Sequence, residues 1–334
     1  MKITGLKTTM VGSAQPLLCL VQLNTDEGLV GVAAAAPSQH PLLTSLVQEL
    51  LLGEDPRTVT GLWKHMIEAG VQSGNIGPVS QAAAVLDIAL WDLKAKAQNA
   101  PLWKTLGGSQ PRVDTHVSAP DASASDESLA QWFGTMARDF GFRSGKLKVG
   151  LDQPAALRRL ALVKSALQQN ARDPGLMVDM EGPWSPRESI LHVRVMEEQF
   201  DLTWVEKPAR HWDFLAHKRV SSAIRAAVCG GESLSSPVDF LPHFQHHSLD
   251  IIQVSITNCG ITGAMQIADA AFGFELPVVL SHCTGNIHAH VGAVMPYCMS
   301  LEVLDPAPAD GGFATDIRIV DGWALNASRS GVRA

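Results

Sequence analysis

The chain has 334 residues, 46% of them apolar, with 26 Lys and Arg against 33 Asp and Glu for a formal net charge of −7. That length allows two domains or one large barrel, and that apolar share supports a large core. The acidic balance, with no basic block or run of arginines, argues against a nucleic-acid partner, and no apolar run reaches the ~18 residues that a membrane span requires.

Cys19, Cys229, Cys259, Cys283 and Cys298 are scattered, with no Cys-x-x-Cys pair. This fits a reduced, cytoplasmic compartment and argues against a disulfide framework or a structural zinc site. Ile3 to Val11 and Leu17 to Leu23 read as strands; Gln22 interrupts the second, which favours a strand over a signal peptide. Thr25-Asp-Glu-Gly28 is a turn and Leu29 to Ala34 returns, giving an antiparallel meander. Helical patterns follow near 42–53, 57–69 and 79–99. In the last, Ala82, Val85, Leu86, Ala89, Leu90 and Leu93 mark one buried face, and Pro101 ends it. Residues 1–108 are therefore read as a small α+β domain.

From Val113 the rhythm becomes strand, helix, strand. Gly141 stops a first helix, Asp152 with Pro154 opens a second, and Ser185-Pro-Arg-Glu188 is a capping box that opens a third. Strand ends fall near 118, 148, 179, 206, 232, 255, 281 and 303. Eight parallel strands joined by helices close into a barrel, here over residues 109–304. The tail 305–334, with Asp310-Gly-Gly and Val320-Asp-Gly turns, is expected to run back to the first domain.

The chemistry concentrates between Lys146 and Glu232. Asp179 lies 31 residues after Lys148, Glu206 27 after Asp179, and Glu232 26 after Glu206. One strand, one helix and two loops need about that much chain. Three carboxylates at one βα period land side by side at the C-terminal ends of neighbouring strands, where barrel enzymes keep their chemistry. Acids that close repel unless a cation sits between them, and oxygen ligands suit Mg²⁺ or Mn²⁺. Lys146 and Lys148 share one face of the preceding strand. A lysine beside a second cation has a lowered pKa, which makes the pair candidates for a base and an electrostatic partner. His282 ends the seventh strand as a candidate catalytic group. Glu302 ends the eighth and either closes the site against the first strand or caps. His288-Ala-His290 has the spacing of a zinc-hydrolase pair, but it lies after the seventh strand rather than on the first.

These residues make the chain resemble the enolase superfamily, in its mandelate racemase/muconate lactonizing branch. The resemblance covers essentially the whole chain. It rests on Thr25-Asp-Glu-Gly28, Gly53-Glu-Asp-Pro56, Leu86-Asp-Ile-Ala-Leu-Trp-Asp-Leu-Lys94, Leu106-Gly-Gly108, Lys146-x-Lys148, Trp204-Val-Glu-Lys-Pro208, Gly-Gly-Glu at 230–232 and Ser281-His. It implies an α/β fold, a (β/α)7β modified TIM barrel with an N-terminal α+β capping domain, and a homo-oligomer is expected. It also implies that Asp179, Glu206 and Glu232 hold Mg²⁺ and that Lys148 is the base. Such a site removes the proton α to a substrate carboxylate through a metal-stabilised ene-diolate.

Relatives with a histidine on the seventh strand usually pair it with an aspartate ending the sixth; Ser255 stands there. Members of the muconate group carry a lysine on the sixth strand, and none lies between Asp250 and Gly260. Glu181 stands where many relatives have asparagine. Glu181, Ser255 and Glu302 are the candidate substrate-binding residues, with Lys146, Lys148 and His282 the catalytic ones. Racemisation needs competent groups on both faces of the α-carbon, whereas elimination of water needs one base, a cation and an acid. The missing aspartate harms the first more, so dehydration of a sugar-derived acid is the favoured reading. A racemase or epimerase is the alternative, and a non-catalytic metal-binding relative the third. Substrate discrimination is expected in the loops near Val11 to Pro16 and Ala34 to Pro41.

Overall fold

The computed structural model describes residues 1–11, 18–70, 77–119, 123–182, 184–306 and 317–326. β1 (Ile3–Val11), β2 (Leu18–Thr25) and β3 (Val30–Ala35) form an antiparallel sheet in that order. In β2 the residues Cys19, Val21, Leu23 and Thr25 are buried and alternate with half-buried ones, as a sheet with one face on a core requires. The helical pattern near 42–53 becomes α1 (His40–Leu46) continued by a π-helical stretch at Val47–Leu51. α2 (Val59–Gly70) and α3 (Pro78–Ala97) follow, then a short α4 (Leu102–Thr105) that the sequence pattern had not indicated. Of the expected specificity loops, residues 12–16 lie outside the described residues, and 34–41 form the exit of β3 and the entry to α1.

Eight parallel strands and seven helices then alternate. They are β4 (Arg112–Ser118), α5 (Asp126–Phe140), β5 (Ser144–Lys148), α6 (Gln153–Leu167), β6 (Gly175–Asp179), α7 (Pro186–Glu197), β7 (Leu202–Glu206) and α8 (Phe214–Ser221). The series continues through β8 (Ala227–Gly230), α9 (Pro237–His246), β9 (Ile251–Val254), α10 (Ile256–Gly273), β10 (Val278–Leu280), α11 (His288–Gly292) and β11 (Cys298–Val303). β11 pairs in parallel with β4, Leu301 to Val303 against Thr115 to Val117, and closes the (β/α)7β barrel. Local sequence starts and stops these helices. Ser125, Asp152 and Ser185 each accept a backbone N–H at an N-terminus, and Gly141 ends α5 at φ +75°.

The main core lies between the strands and the helices. Met177, Trp204, Cys229, Ile251 and Val279 form a second cluster from five successive strands. They fill the barrel interior below the mouth, on the same strand faces as Asp179, Glu206 and the position of Ser255. The tail, expected to return to the cap, is described over residues 317–326. There β12 (Arg318–Val320) and β13 (Trp323–Leu325) form a hairpin, and β13 pairs antiparallel with β4 of the barrel. The Asp310-Gly-Gly turn lies outside the described residues. No described helix is long and apolar enough to cross a membrane.

The cap is joined to the barrel by α3, which lies against α10. Asp87 accepts hydrogen bonds from Thr262 N at 2.9 Å and Thr262 Oγ1 at 2.6 Å, and Trp91 Nε1 donates to Thr262 Oγ1 at 2.9 Å. Gly260, at φ +70°, breaks α10 here, and a Cβ on it would lie 2.6 Å from Asp87 Oδ2. Burial pushes the Asp87 carboxyl up to about 7 from 3.8, against the Thr262 donors. A carboxyl raised in the fold stabilises it fully below its unfolded value, and that contribution is lost as pH rises through about 7. Asp87→Asn is expected to flatten stability across that window. Denaturant unfolding at a series of pH values checks this, and an unchanged slope in the variant contradicts it.

Candidate active site

Three groups of charges meet at the C-terminal mouth of the barrel. The first is a fully buried network. Lys146 Nζ donates to Glu206 Oε2 at 2.6 Å and lies 3.0 Å from Glu302 Oε1. Ser118 Oγ donates to the same Glu302 oxygen, and the His282 backbone N–H donates to Glu302 Oε2 at 3.2 Å. Glu302 therefore closes the site against the first barrel strand. Burial disfavours the Lys146 charge, but Glu206, Glu302 and Asp179 outweigh it and raise its pKa above the usual lysine range. The sequence pattern offered the two lysines as a base and an electrostatic partner; the acids enclosing Lys146 favour its ammonium form. Burial raises the Glu302 and Glu206 carboxyls, yet Lys146 prevails and holds both below their usual range.

The second group contains the three expected metal ligands. Asp179 and Glu206 end β6 and β7 in register with each other. Glu232 lies two residues past the end of β8 rather than on it. Gly231 makes that turn at φ +116°, where a Cβ would sit 2.3 Å from Phe240 Cε1. The three carboxylates converge on Lys207 Nζ, 3.2 Å from Asp179 Oδ2, 3.3 Å from Glu206 Oε1 and 2.9 Å from Glu232 Oε2. Burial, then the Glu206 charge, push the Asp179 carboxyl up to about 6, with Lys146 and Lys207 pulling the other way. Glu206 Oε1 is buried without a hydrogen bond. An oxygen-only donor set, one buried oxygen of which has an ion pair at 3.3 Å and no hydrogen bond, fits a hard divalent cation. As they stand, no three acid, Cys or His side chains among the described residues close tightly enough to hold an ion. They are spread around an ammonium at about 3 Å, whereas Mg²⁺ takes its oxygens at about 2.0–2.1 Å.

The third group is at the rim. Lys148, beside Asp179 in the β5–β6 register, donates to Glu181. Lys148 is 38% exposed and Glu181 51%, against 4% for Lys146. Lys148 therefore reaches the open mouth. Glu181 takes an uncommon left-handed backbone, φ +53°. Its partner is thus a lysine of the site. Ser255 is buried at the start of α10, and its hydroxyl hydrogen-bonds Thr257 Oγ1 at 2.7 Å. His282 lies two residues past β10, with no hydrogen bond from the described residues to its ring. Burial pushes its pKa down, against the pull of Glu302 and Glu232. His288 is buried between Cys283 Sγ, 3.1 Å away, and the Glu302 carbonyl oxygen, 2.9 Å away. It is a packed core histidine.

Two contributors were not singled out from sequence. Ser118 becomes visible only when the eighth strand closes on the first. Lys207 sits inside the Trp204-to-Pro208 motif, but alternation along a strand points it away from Glu206. It escapes that rule because β7 ends at Glu206 and Lys207 takes φ +47°. A further link runs to the cap. Gln81 Nε2 donates to Asn258 Oδ1 at 3.0 Å, and Asn258 Nδ2 donates to the Glu232 backbone oxygen at 2.7 Å. Helix α3 thereby braces the loop that carries Glu232.

A small α+β cap on a closed (β/α)7β barrel, with acids in register at successive strand ends, is the architecture of the enolase superfamily. Residues 129–332 match the family model for the enolase C-terminal domain-like fold. Residues 2–107 match that for the mandelate racemase/muconate lactonizing enzyme N-terminal domain. The chain belongs to the mandelate racemase/muconate lactonizing enzyme family of the enolase superfamily. It is 30% identical over 255 residues to an L-talarate/galactarate dehydratase of Salmonella typhimurium, covering 75% of this chain and 62% of that relative's length. It is 28% identical over 296 residues to a 3,6-anhydro-alpha-L-galactonate cycloisomerase of Streptomyces coelicolor, covering 85% of this chain and 80% of the relative. A racemase from Streptomyces coelicolor, crystallised with bound magnesium, superposes with a TM-score of 0.85 at 24% identity, covering 98% of this chain and 96% of that one.

Proposed function

We propose that the chain is a hydro-lyase that removes the proton α to the carboxylate of a sugar-derived hydroxy acid and expels the β-hydroxyl. The observation that carries this reading is the convergence of Asp179, Glu206 and Glu232 on one cationic point, beside a lysine pair of unequal exposure. A relative named as a sugar-acid dehydratase supports it. Asp179, Glu206 and Glu232 would hold Mg²⁺, with Mn²⁺ a chemical equivalent. Bound there, the cation supplies a Lewis-acid charge for the substrate carboxylate as the α-proton leaves.

The chain's own residues do the rest. Lys148 takes the α-proton, and Glu181 holds its amine at the rim. Lys146 stays charged and keeps Glu206 and Glu302 in place without giving up its proton. His282 approaches across the mouth, since β4 and β11 separate its strand from that of Lys148. It delivers a proton to the departing hydroxide, which leaves as water, and the resulting enol becomes a 2-keto-3-deoxy acid.

One observation favours racemisation or epimerisation instead. Burial lowers the His282 pKa, and a neutral imidazole is ready to accept a proton from the second face of the α-carbon. A library of acid sugars incubated with Mg²⁺ decides between them. The dehydratase reading expects a 2-keto-3-deoxy product, trapped as its semicarbazone, and His282→Asn should lose that product while keeping α-proton exchange. Interconversion of epimers with no keto acid contradicts it.

A further inference from the structure

Two ammonium groups touch Glu206, and they differ in exposure. Lys146 is 4% exposed and enclosed by Glu206 and Glu302. Lys207 is 22% exposed and forms ion pairs with all three acids of the candidate metal site, at 2.9 to 3.3 Å.

The backbone of Lys207 is also unusual. It takes φ +47° directly before Pro208, where an extended conformation is preferred. Its N–H donates to the Cys229 oxygen on β8 at 2.9 Å, so the main chain is pinned while the side chain turns back into the mouth. A left-handed residue of this kind persists only where its surroundings over-determine it. The surroundings here are the backbone hydrogen bond and the three carboxylates.

A divalent cation needs the same oxygens that the ammonium uses, drawn in to about 2.0–2.1 Å. Two cations sharing those oxygens repel each other. Lys207 has a path toward solvent and Lys146 has none. We propose that Lys207 is a tethered competitor of the divalent cation: its ammonium holds the three acids together in metal-free protein and swings out of them as the cation enters. This rests on the reading of Asp179, Glu206 and Glu232 as a metal site. Lys207 is then a positioning residue that sets how tightly, and at what concentration, the site loads.

The test uses the full chain. In Mg²⁺ titration calorimetry, Lys207→Met is expected to bind about tenfold or more tightly than wild type, since a competing charge is gone. Lys207→Arg keeps a cation and is expected to stay near wild type. In excess EDTA, Lys207→Met is expected to melt at a lower temperature than wild type, with a larger gain when Mg²⁺ is added. A readout on the wild-type protein alone is acetylation by a succinimidyl ester mapped by mass spectrometry. Lys207 should be protected in EDTA and become reactive with Mg²⁺. Unchanged or weaker Mg²⁺ affinity in Lys207→Met, or labelling that Mg²⁺ leaves unaltered, overturns the proposal while the metal site stands, provided Glu206→Gln still abolishes binding. Absence of Mg²⁺ binding in both wild type and Lys207→Met, each folded by circular dichroism, removes the metal reading itself and this proposal with it.

Discussion

Glu206→Gln should bind Mg²⁺ about 10³-fold more weakly than wild type and lose turnover with it. Glu206 is the acid shared by Lys146 and Lys207, with Oε2 on Lys146 at 2.6 Å and Oε1 on Lys207 at 3.3 Å. Even a pair of unit charges about 4 Å apart, at an effective dielectric near 20, is worth about 4 kcal/mol, so losing this carboxylate from a divalent cation costs at least roughly three decades in affinity. The variant also leaves Lys146 dependent on Glu302 alone, so its fold is to be verified by circular dichroism. Calorimetric Mg²⁺ titration reads the effect. Wild-type affinity in a folded Glu206→Gln protein contradicts the assignment of this acid as a ligand.

The second large effect belongs to Lys148→Ala. Lys148 is the exposed member of the lysine pair, and Lys146 is enclosed by carboxylates that keep it protonated. Lys146 is enclosed by Glu206 and Glu302 and Lys207 lies on the far side of Asp179 in the strand order, so removal of the base should lower turnover by about 10²–10⁴-fold or more. Glu181→Gln leaves the amine in place and loosens only its anchor, so a smaller loss is expected. Steady-state kinetics on the best substrate of the library separates the two. A Lys148→Ala enzyme with wild-type turnover assigns the proton abstraction to another group, with His282 the first candidate.

Much of this architecture was legible because the βα period is regular. Once Lys148, Asp179 and Glu206 recur at nearly constant spacing, elementary barrel geometry places them together, and all three do end their strands. Glu232 obeyed the spacing but not the strand, since β8 stops at Gly230 and Gly231 swings the acid inward. What the sequence left open depends on closure and on backbone sign. The Ser118–Glu302–Lys146 network needs the first and eighth strands side by side, a contact between residues 184 positions apart. That the charges nearest Lys146 are acids rather than the second lysine is a matter of angstroms that alternation alone does not resolve. Lys207 was hidden by the same alternation, which holds within strands and lapses at a left-handed residue just beyond one. Substrate preference stays unread, because the loop after β1 lies outside the described residues and the loop after β3 carries no chemistry-bearing pattern.

The central claim is that this mouth removes the proton α to a carboxylate, with Lys148 as base and the three acids holding the cation. The most direct measurement is proton NMR of an acid-sugar library in D₂O with Mg²⁺, following loss of the α-proton signal. α-Exchange or α-deuterated product is expected with at least one acid, dependent on Mg²⁺, suppressed by EDTA, and lost in Lys148→Ala and Glu206→Gln. Exchange that persists unchanged in Lys148→Ala, or in the presence of EDTA, would contradict it.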